Sequence, residues 1–245
     1  MSSDIRTRDR AFSALIAGLT LAVMLVGFSR SFYLLPIFAG APDWAAKEAI
    51  FYAHGAVFTT WFTLLAVQLV LIRLGNPRLH RRLGYAGAGL GALVFGVGVL
   101  AAVRASNRPG GFIGVPFPPD QFLAVPLFEM LVFGALLLLA VVWRHDPARH
   151  KRLMLLACID LLGAPVARIT SMIGTFAPPM LDIIVYAALV ALMVVWDAVT
   201  QRRVRADTLV GGAVVVGVNA AALSIGATAG WLAIAHMLMD LVPPP

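Results

Sequence analysis

Asn76-Pro77-Arg78-Leu79-His80-Arg81-Arg82-Leu83 returns seventy residues later as Asp146-Pro147-Ala148-Arg149-His150-Lys151-Arg152-Leu153. Both copies read [Asn/Asp]-Pro-x-x-His-[Arg/Lys]-Arg-Leu. Each follows a long apolar run that ends in an arginine, Arg73 or Arg144, and each precedes another such run. The residue before a proline is pushed out of the α region, so one helix stops there and the next begins just after it. The pattern predicts one helical hairpin used twice, with its turns at the polar edge of a membrane.

Composition agrees with that reading. The 245 residues are 60% hydrophobic and 13% charged, against roughly half and roughly a quarter in globular domains. That excludes a soluble protein. Seven spans are predicted at 11–38, 48–73, 82–104, 120–143, 150–173, 180–198 and 208–240, most of them at or beyond the roughly 20 residues that cross a bilayer. The fold class is therefore all-α, a single transmembrane domain over 1–245, with spans two and three, and four and five, as the two hairpins. The basic stretch Met1–Arg10 precedes an apolar run longer than a signal peptide's core and is read as leading into a retained first span. The final span is long and carries Asn219, Ser224, Gly226 and Gly230, which signal a tilt or a break; two pieces of it are too short to cross, so one span is expected.

The formal net charge is +7, but the cations lie in short loops, where membrane orientation explains them and nucleic acid is not needed. Fourteen basic residues fall on one side, in the groups Arg6 to Arg10, Arg73 to Arg82, Arg144 to Arg152 and Arg202 to Arg205, and three on the other, Lys47, Arg104 and Arg108. By the positive-inside rule the N-terminus is cytoplasmic and the C-terminus periplasmic. Arg81, Arg82, Lys151 and Arg152 stand at helix starts, where the macrodipole favours anions. They call for a negative partner, either anionic lipid at the cytoplasmic face or an acidic ligand such as a propionate.

Span three has Gly84, Gly87, Gly89, Gly91, Gly96 and Gly98, small residues that let helices approach closely in lipid and predict a central position. In span five Pro165 must disturb the helix. The Gly- and Pro-rich stretch 107–121 reads as a cap over the outer surface or as a connector.

Ionisable side chains inside a span are costly and tend to face the bundle interior. Arg30 with Tyr33, His54, Glu129, Arg168 and His236 all count to the outer half from five helices, and Asp160 to mid-membrane; a shared polar cluster is expected. Arg30 and Tyr33, three apart, would share a helix face, and so nearly would Asp160 and Arg168. His54 with His236 and His80 with His150 make two histidine pairs at two depths, the pattern that two b-type haems need for axial ligands and for electron transfer across a membrane. No metal site beyond haem iron is read. His145-Asp146 has no third ligand near it, Cys158 is the only cysteine, and neither Lys47 nor Lys151 sits where a retinal Schiff base would be buried.

His54, Gln68, Arg73 and Leu79-His80-Arg81-Arg82-Leu83-Gly84, followed by His150-Lys151-Arg152-Leu153-Met154 and Arg168, resemble an uncharacterised family of bacterial polytopic membrane proteins over spans two to five. The resemblance implies a bacterial inner-membrane location and a site shared by His54, His80, His150 and Arg168, and brings no reaction with it. Three functions fit these residues: haem- or quinone-linked membrane electron transfer, a permease or binding protein for a small solute or lipid, and an accessory subunit of a larger membrane complex. Whether the chain is an enzyme is left open.

Overall fold

A computed structural model describes residues 3–34, 37, 48–172 and 180–242. The expected outer segments at 40–47, including Lys47, and 175–179 lie outside the described residues. Among those described there is no strand. The helices are α1 (Ser3–Gly27), followed by a π-helical turn at Ser29–Tyr33, then α2 (Ala49–Arg73), α3 (Pro77–Ser106), α4 (Pro119–Phe122), α5 (Ala124–Val142), α6 (Pro147–Asp160), α7 (Gly163–Met172), α8 (Met180–Gln201), α9 (Ala206–Gly226) and α10 (Ala229–Asp240). Among the described residues, seven stretches are long and apolar enough to cross a membrane: Thr7–Gly27, Ala49–Arg73, Pro77–Ser106, Pro119–Val142, Pro147–Met172, Leu181–Gln201 and Ala206–Gly226. Seven such helices make a multi-pass membrane protein.

The two quoted turns start their helices in the same way. The Asn76 side chain accepts from the Leu79 amide at 3.1 Å, and Asp146 Oδ1 accepts from the Ala148 and Arg149 amides at 3.0 and 3.2 Å. Pro77 and Pro147 occupy the first helical position, where the missing N–H costs nothing and the fixed φ suits the helix. The Arg149 amide, seconded by that of Ala148, holds the Asp146 carboxyl below the usual carboxylate range.

These turns send α3 back along α2 and α6 back along α5. Helix α5 stands centrally, packed on α3, α6 and α9, and the span formed by α6 and α7, Pro147–Met172, is the most fully enclosed. The glycine seam of α3 does mediate contact: Gly91 faces Trp61 and Leu137, and Gly98 faces Met130 and Phe58, while Gly89 and Gly96 meet open space. The core is apolar and interlocked, with Phe62, Val94, Phe133, Leu156 and Val215 almost fully buried and Trp61 edge-on to Phe133 at 5.5 Å between ring centres.

Three of the expected spans are interrupted. The last divides at Ala227–Thr228 into α9 and α10, with Thr228 capping α10 through the Trp231 amide at 3.3 Å. A single crossing suffices because 21 residues at about 1.5 Å each reach the roughly 30 Å of a hydrocarbon core. The short α10 then packs under the 107–121 stretch: the Trp231 indole N–H donates to the Asp120 carbonyl at 2.9 Å, and the Asn107 amide donates to the Met239 and Val242 carbonyls. The fifth span breaks between Asp160 and Gly163, and the first passes into the π turn after Gly27.

Candidate functional site

Polar side chains gather at two levels. At the end carrying the Asn76 and Asp146 turns, the first feature is an internal ion network. Arg152 is 3% and Asp197 1% exposed. Arg152 grips the Asp197 carboxylate through two guanidinium nitrogens, Nε at 3.2 Å. Thr208 Oγ1 donates to the same carboxylate at 2.7 Å, and Gln201 Nε2 at 3.2 Å. Lys151 pairs with Asp9, whose other oxygen accepts from the Trp196 indole N–H at 3.2 Å. The anions expected opposite Lys151 and Arg152 are thus carboxylates of the chain itself, while Arg81 and Arg82 remain exposed.

Beside that network His80 and His150, which occupy equivalent places after their two prolines, come together with ring centres 6.3 Å apart and planes at 82°. His150 Nδ1 is engaged by the Ala140 carbonyl at 2.9 Å. A ring held through Nδ1–H turns its Nε2 lone pair outward, the orientation that metal-bound imidazoles take from their backbone partners. Both histidines are half-buried, and His80 Nδ1 has no hydrogen-bond partner. Among the described residues no group of three or more His, Cys, Asp or Glu side chains is arranged to hold a metal ion.

The second level is the break in the fifth span. Helix α6 ends at Asp160, two residues intervene, and α7 starts at Gly163, with Pro165 unable to donate back to Leu161. A broken ladder inside a membrane protein needs other partners for the freed backbone groups. The Tyr186 hydroxyl supplies one by donating to the Asp160 carbonyl at 3.0 Å. The Asp160 side chain is fully buried; Oδ1 accepts from Asn219 Nδ2 at 2.8 Å and Oδ2 has no partner. Glu129, 9% exposed, reaches across from α5 to the backbone of Gly163. A Cβ on Gly163 would lie 2.7 Å from the Tyr186 hydroxyl and 3.4 Å from Glu129 Oε1, so glycine is what lets both side chains close on the break.

Further along α7, half-buried Arg168 donates to the Ala164 carbonyl at 3.0 Å and lies over the Phe28 ring at 4.4 Å. It is within electrostatic reach of Glu129 and of His54, and Asp182 of α8 is within reach of Glu129. The His54 ring lies 4.1 Å from that of Phe58, tilted by 32°, and its Nδ1 has no partner.

Of the residues expected to share a polar cluster, His54, Glu129, Asp160 and Arg168 are linked by electrostatic reach, and two residues depart from it. Arg30 is exposed on the π turn, whereas Tyr33 turns inward: its hydroxyl lies 2.9 Å from Thr59 Oγ1, which itself donates to the Gly55 carbonyl. A π turn takes more residues than an α turn, so positions three apart no longer share a face. His236 lies on α10 with its side chain 62% exposed, 3.1 Å from Asp120 Oδ2, and the pairing of His54 with His236 is not formed. The interruption after Asp160 divides the continuous helix on which Asp160 and Arg168 were expected to share a face. Tyr186, Asn219 and Asp197 join these groups without having been singled out as site residues; Asn219 stood out only as a break signal, and for Tyr186 and Asp197 nothing local in the sequence marks the partner.

No protein-family model, no curated protein and no solved structure matches this chain.

Proposed function

We propose that this protein is a membrane electron carrier that holds one b-type haem between His80 and His150. The observation that carries the reading is the 6.3 Å, near-perpendicular approach of these two imidazoles from separate hairpins. Two imidazoles this close would serve as the side-chain ligands of a haem iron, and the haem would supply one-electron chemistry. Two side-chain ligands alone do not hold a bare ion, but they complete the coordination of an iron that arrives with four nitrogens of its own. The donor set fits haem in this sense, and Arg81 and Arg82 carry the charge opposite to its propionates. The chain's part would be to hold the two rings, His150 through Ala140. One haem replaces the two expected, because the pair of His54 and His236 does not meet.

The charge bias of fourteen to three supports a cytoplasmic location for this end, in the bacterial inner membrane that the family resemblance implies. The test is an absorbance spectrum of the purified protein, oxidised and then reduced with dithionite, from cells with ample haem. Soret and α bands are expected, lost or strongly shifted in His80→Ala and in His150→Ala and unchanged in His236→Ala. A colourless wild type, or bands indifferent to both substitutions, ends the proposal.

A second reading draws on the break in the fifth span. Interrupted helices with polar side chains near mid-membrane are the usual substrate and ion sites of secondary transporters, so a permease for a small solute is what a colourless protein would favour, with Glu129, Arg168 and His54 as its binding residues.

A further inference from the structure

We propose that Asp160 is a proton-binding site inside the bundle, which exchanges its proton with the Glu129 carboxylate across the break between α6 and α7. The inference uses neither His80 nor His150 and stands or falls apart from the haem.

Both carboxyls are buried and each faces another acid, Asp182 for Glu129 and Glu129 for Asp160, but they differ in what offsets this. Glu129 abuts the first residue of α7, where backbone N–H groups and the positive end of the helix dipole favour an anion, and Arg168 on the same helix adds a cation within reach. Asp160 closes α6, at the negative end of that helix. It is 0% exposed, and one carboxyl oxygen has a single donor, Asn219, while the other has none.

The charged and titratable groups on the elements around Asp160 do not repair this. Helix α5 contributes Glu129, another acid. From α8 come Asp182 and Tyr186, and Tyr186 gives its proton to the Asp160 carbonyl and not to the carboxyl. From α9 comes Asn219, since Asp207 lies at the other end of that helix beside Arg205. Arg168 of α7 is directed to Ala164 and Phe28. The intramembrane part of α1, beyond Arg10, adds no charge before Arg30. An ionised Asp160 would thus be an anion in an apolar core, helped only by Asn219 and the Phe133 backbone and facing a second acid, which is the arrangement that a bound proton relieves.

The exchange balances simply. The Asp160 carboxyl O–H bond breaks, the proton joins a Glu129 carboxylate oxygen, and the negative charge passes to Asp160; the reverse step restores it. Asp182 and Arg168 lie within electrostatic reach of Glu129, and His54 within reach of Arg168. On the side of Asp160 towards the Arg152 network, the buried residues Leu155, Leu156 and Ile159 seal it. Protons therefore reach Asp160 from the end opposite the basic turns.

The whole protein in detergent or liposomes can be examined by infrared spectroscopy for the carbonyl stretch of an un-ionised carboxylic acid. That band is expected at neutral pH, to shift on transfer to heavy water as the proton exchanges, and to lose the Asp160 component in the difference spectrum of Asp160→Asn, which keeps the shape and the acceptor for Asn219. Glu129→Gln should slow the heavy-water shift without removing the band. In parallel, an apolar carbodiimide, which adds a carboxylic O–H across its C=N bond, should modify Asp160 in the wild type, with the adduct located by mass spectrometry and its yield falling as pH rises. This second measurement needs no variant and holds even if Asp160→Asn fails to fold. The proposal is overturned if the band is undiminished in a folded Asp160→Asn, if it never responds to heavy water, or if Asp160 stays unmodified by the carbodiimide at every pH.

Discussion

Arg152 shows how this chain accommodates charge within an apolar bundle. Taking a guanidinium and a carboxylate out of water costs several kcal/mol per ion, and their attraction offsets this only when the remaining donors and acceptors are satisfied as well. Here they are: Asp197 accepts from Arg152, Thr208 and Gln201, and Arg152 donates in addition to the Ala148 carbonyl at 3.0 Å. Removing one partner leaves the other charge buried and bare. Arg152→Ala or Asp197→Ala should therefore lower the unfolding free energy in mild detergent by about 3–5 kcal/mol, whereas the double substitution Arg152→Met with Asp197→Leu should cost much less. If the single changes prove as mild as the double one, the pair is not holding the bundle. In the sequence Arg152 could be read only as a cation at a helix start in want of an anion. Its partner is 45 residues away, and nothing in the local pattern names it.

At the scale of elements, the breaks decide what the helices present to one another. Proline at 165 signals a disturbed fifth span, but its effect depends on what fills the gap, and the Tyr186 hydroxyl and the Glu129 carboxyl come from other helices. The crossing of α1 over α7 is set by one residue. A Cβ on Gly27 would strike the Pro165 backbone at 2.5 and 2.6 Å, whereas Gly18, on the same helix, has nothing within 4 Å. Gly27→Ala should cost about 1–3 kcal/mol, as overpacking does, and Gly18→Ala should be neutral or stabilising by up to about 1 kcal/mol, since glycine inside a helix is entropically costly. Thermal unfolding in one detergent measures both. Equal effects at the two positions would show that the close crossing is not what matters. The π turn after Gly27 was not legible, because an i→i+5 turn differs from an α turn by one residue and has no composition of its own; it is what separates Arg30 from Tyr33.

For the whole molecule, the distribution of charge and the single buried cysteine allow a direct test of orientation. Cys158 is fully buried, so a newly introduced cysteine reports alone to an impermeant maleimide. Ile113, 85% exposed in the 107–121 stretch, should react as Ile113→Cys in intact cells, and Arg144→Cys, at the basic end, only after the membrane is opened. The reverse pattern would overturn the assignment of the basic end to the cytoplasm. The same end-to-end asymmetry organises the interior: the ion network and the histidine pair sit at the basic end, the carboxyls and His54 beyond the helix break, with a tightly packed apolar layer between them.

The membrane character, the all-helical class, the number of spans and the positions of both capped turns follow from the sequence alone, because hydrophobic length, proline geometry and side-chain caps act over a few neighbouring residues. Which polar side chains meet was decided only by the tertiary packing. Equivalent residues of two separate turns were brought to 6.3 Å as His80 and His150, Arg152 found Asp197, and Asp160 was left with one unpartnered oxygen beside Glu129, while His236 and Arg30 were turned outward. A charge in an apolar bundle takes the partner that helix crossing and helix breaks place next to it, and those depend on contacts between residues far apart in the chain.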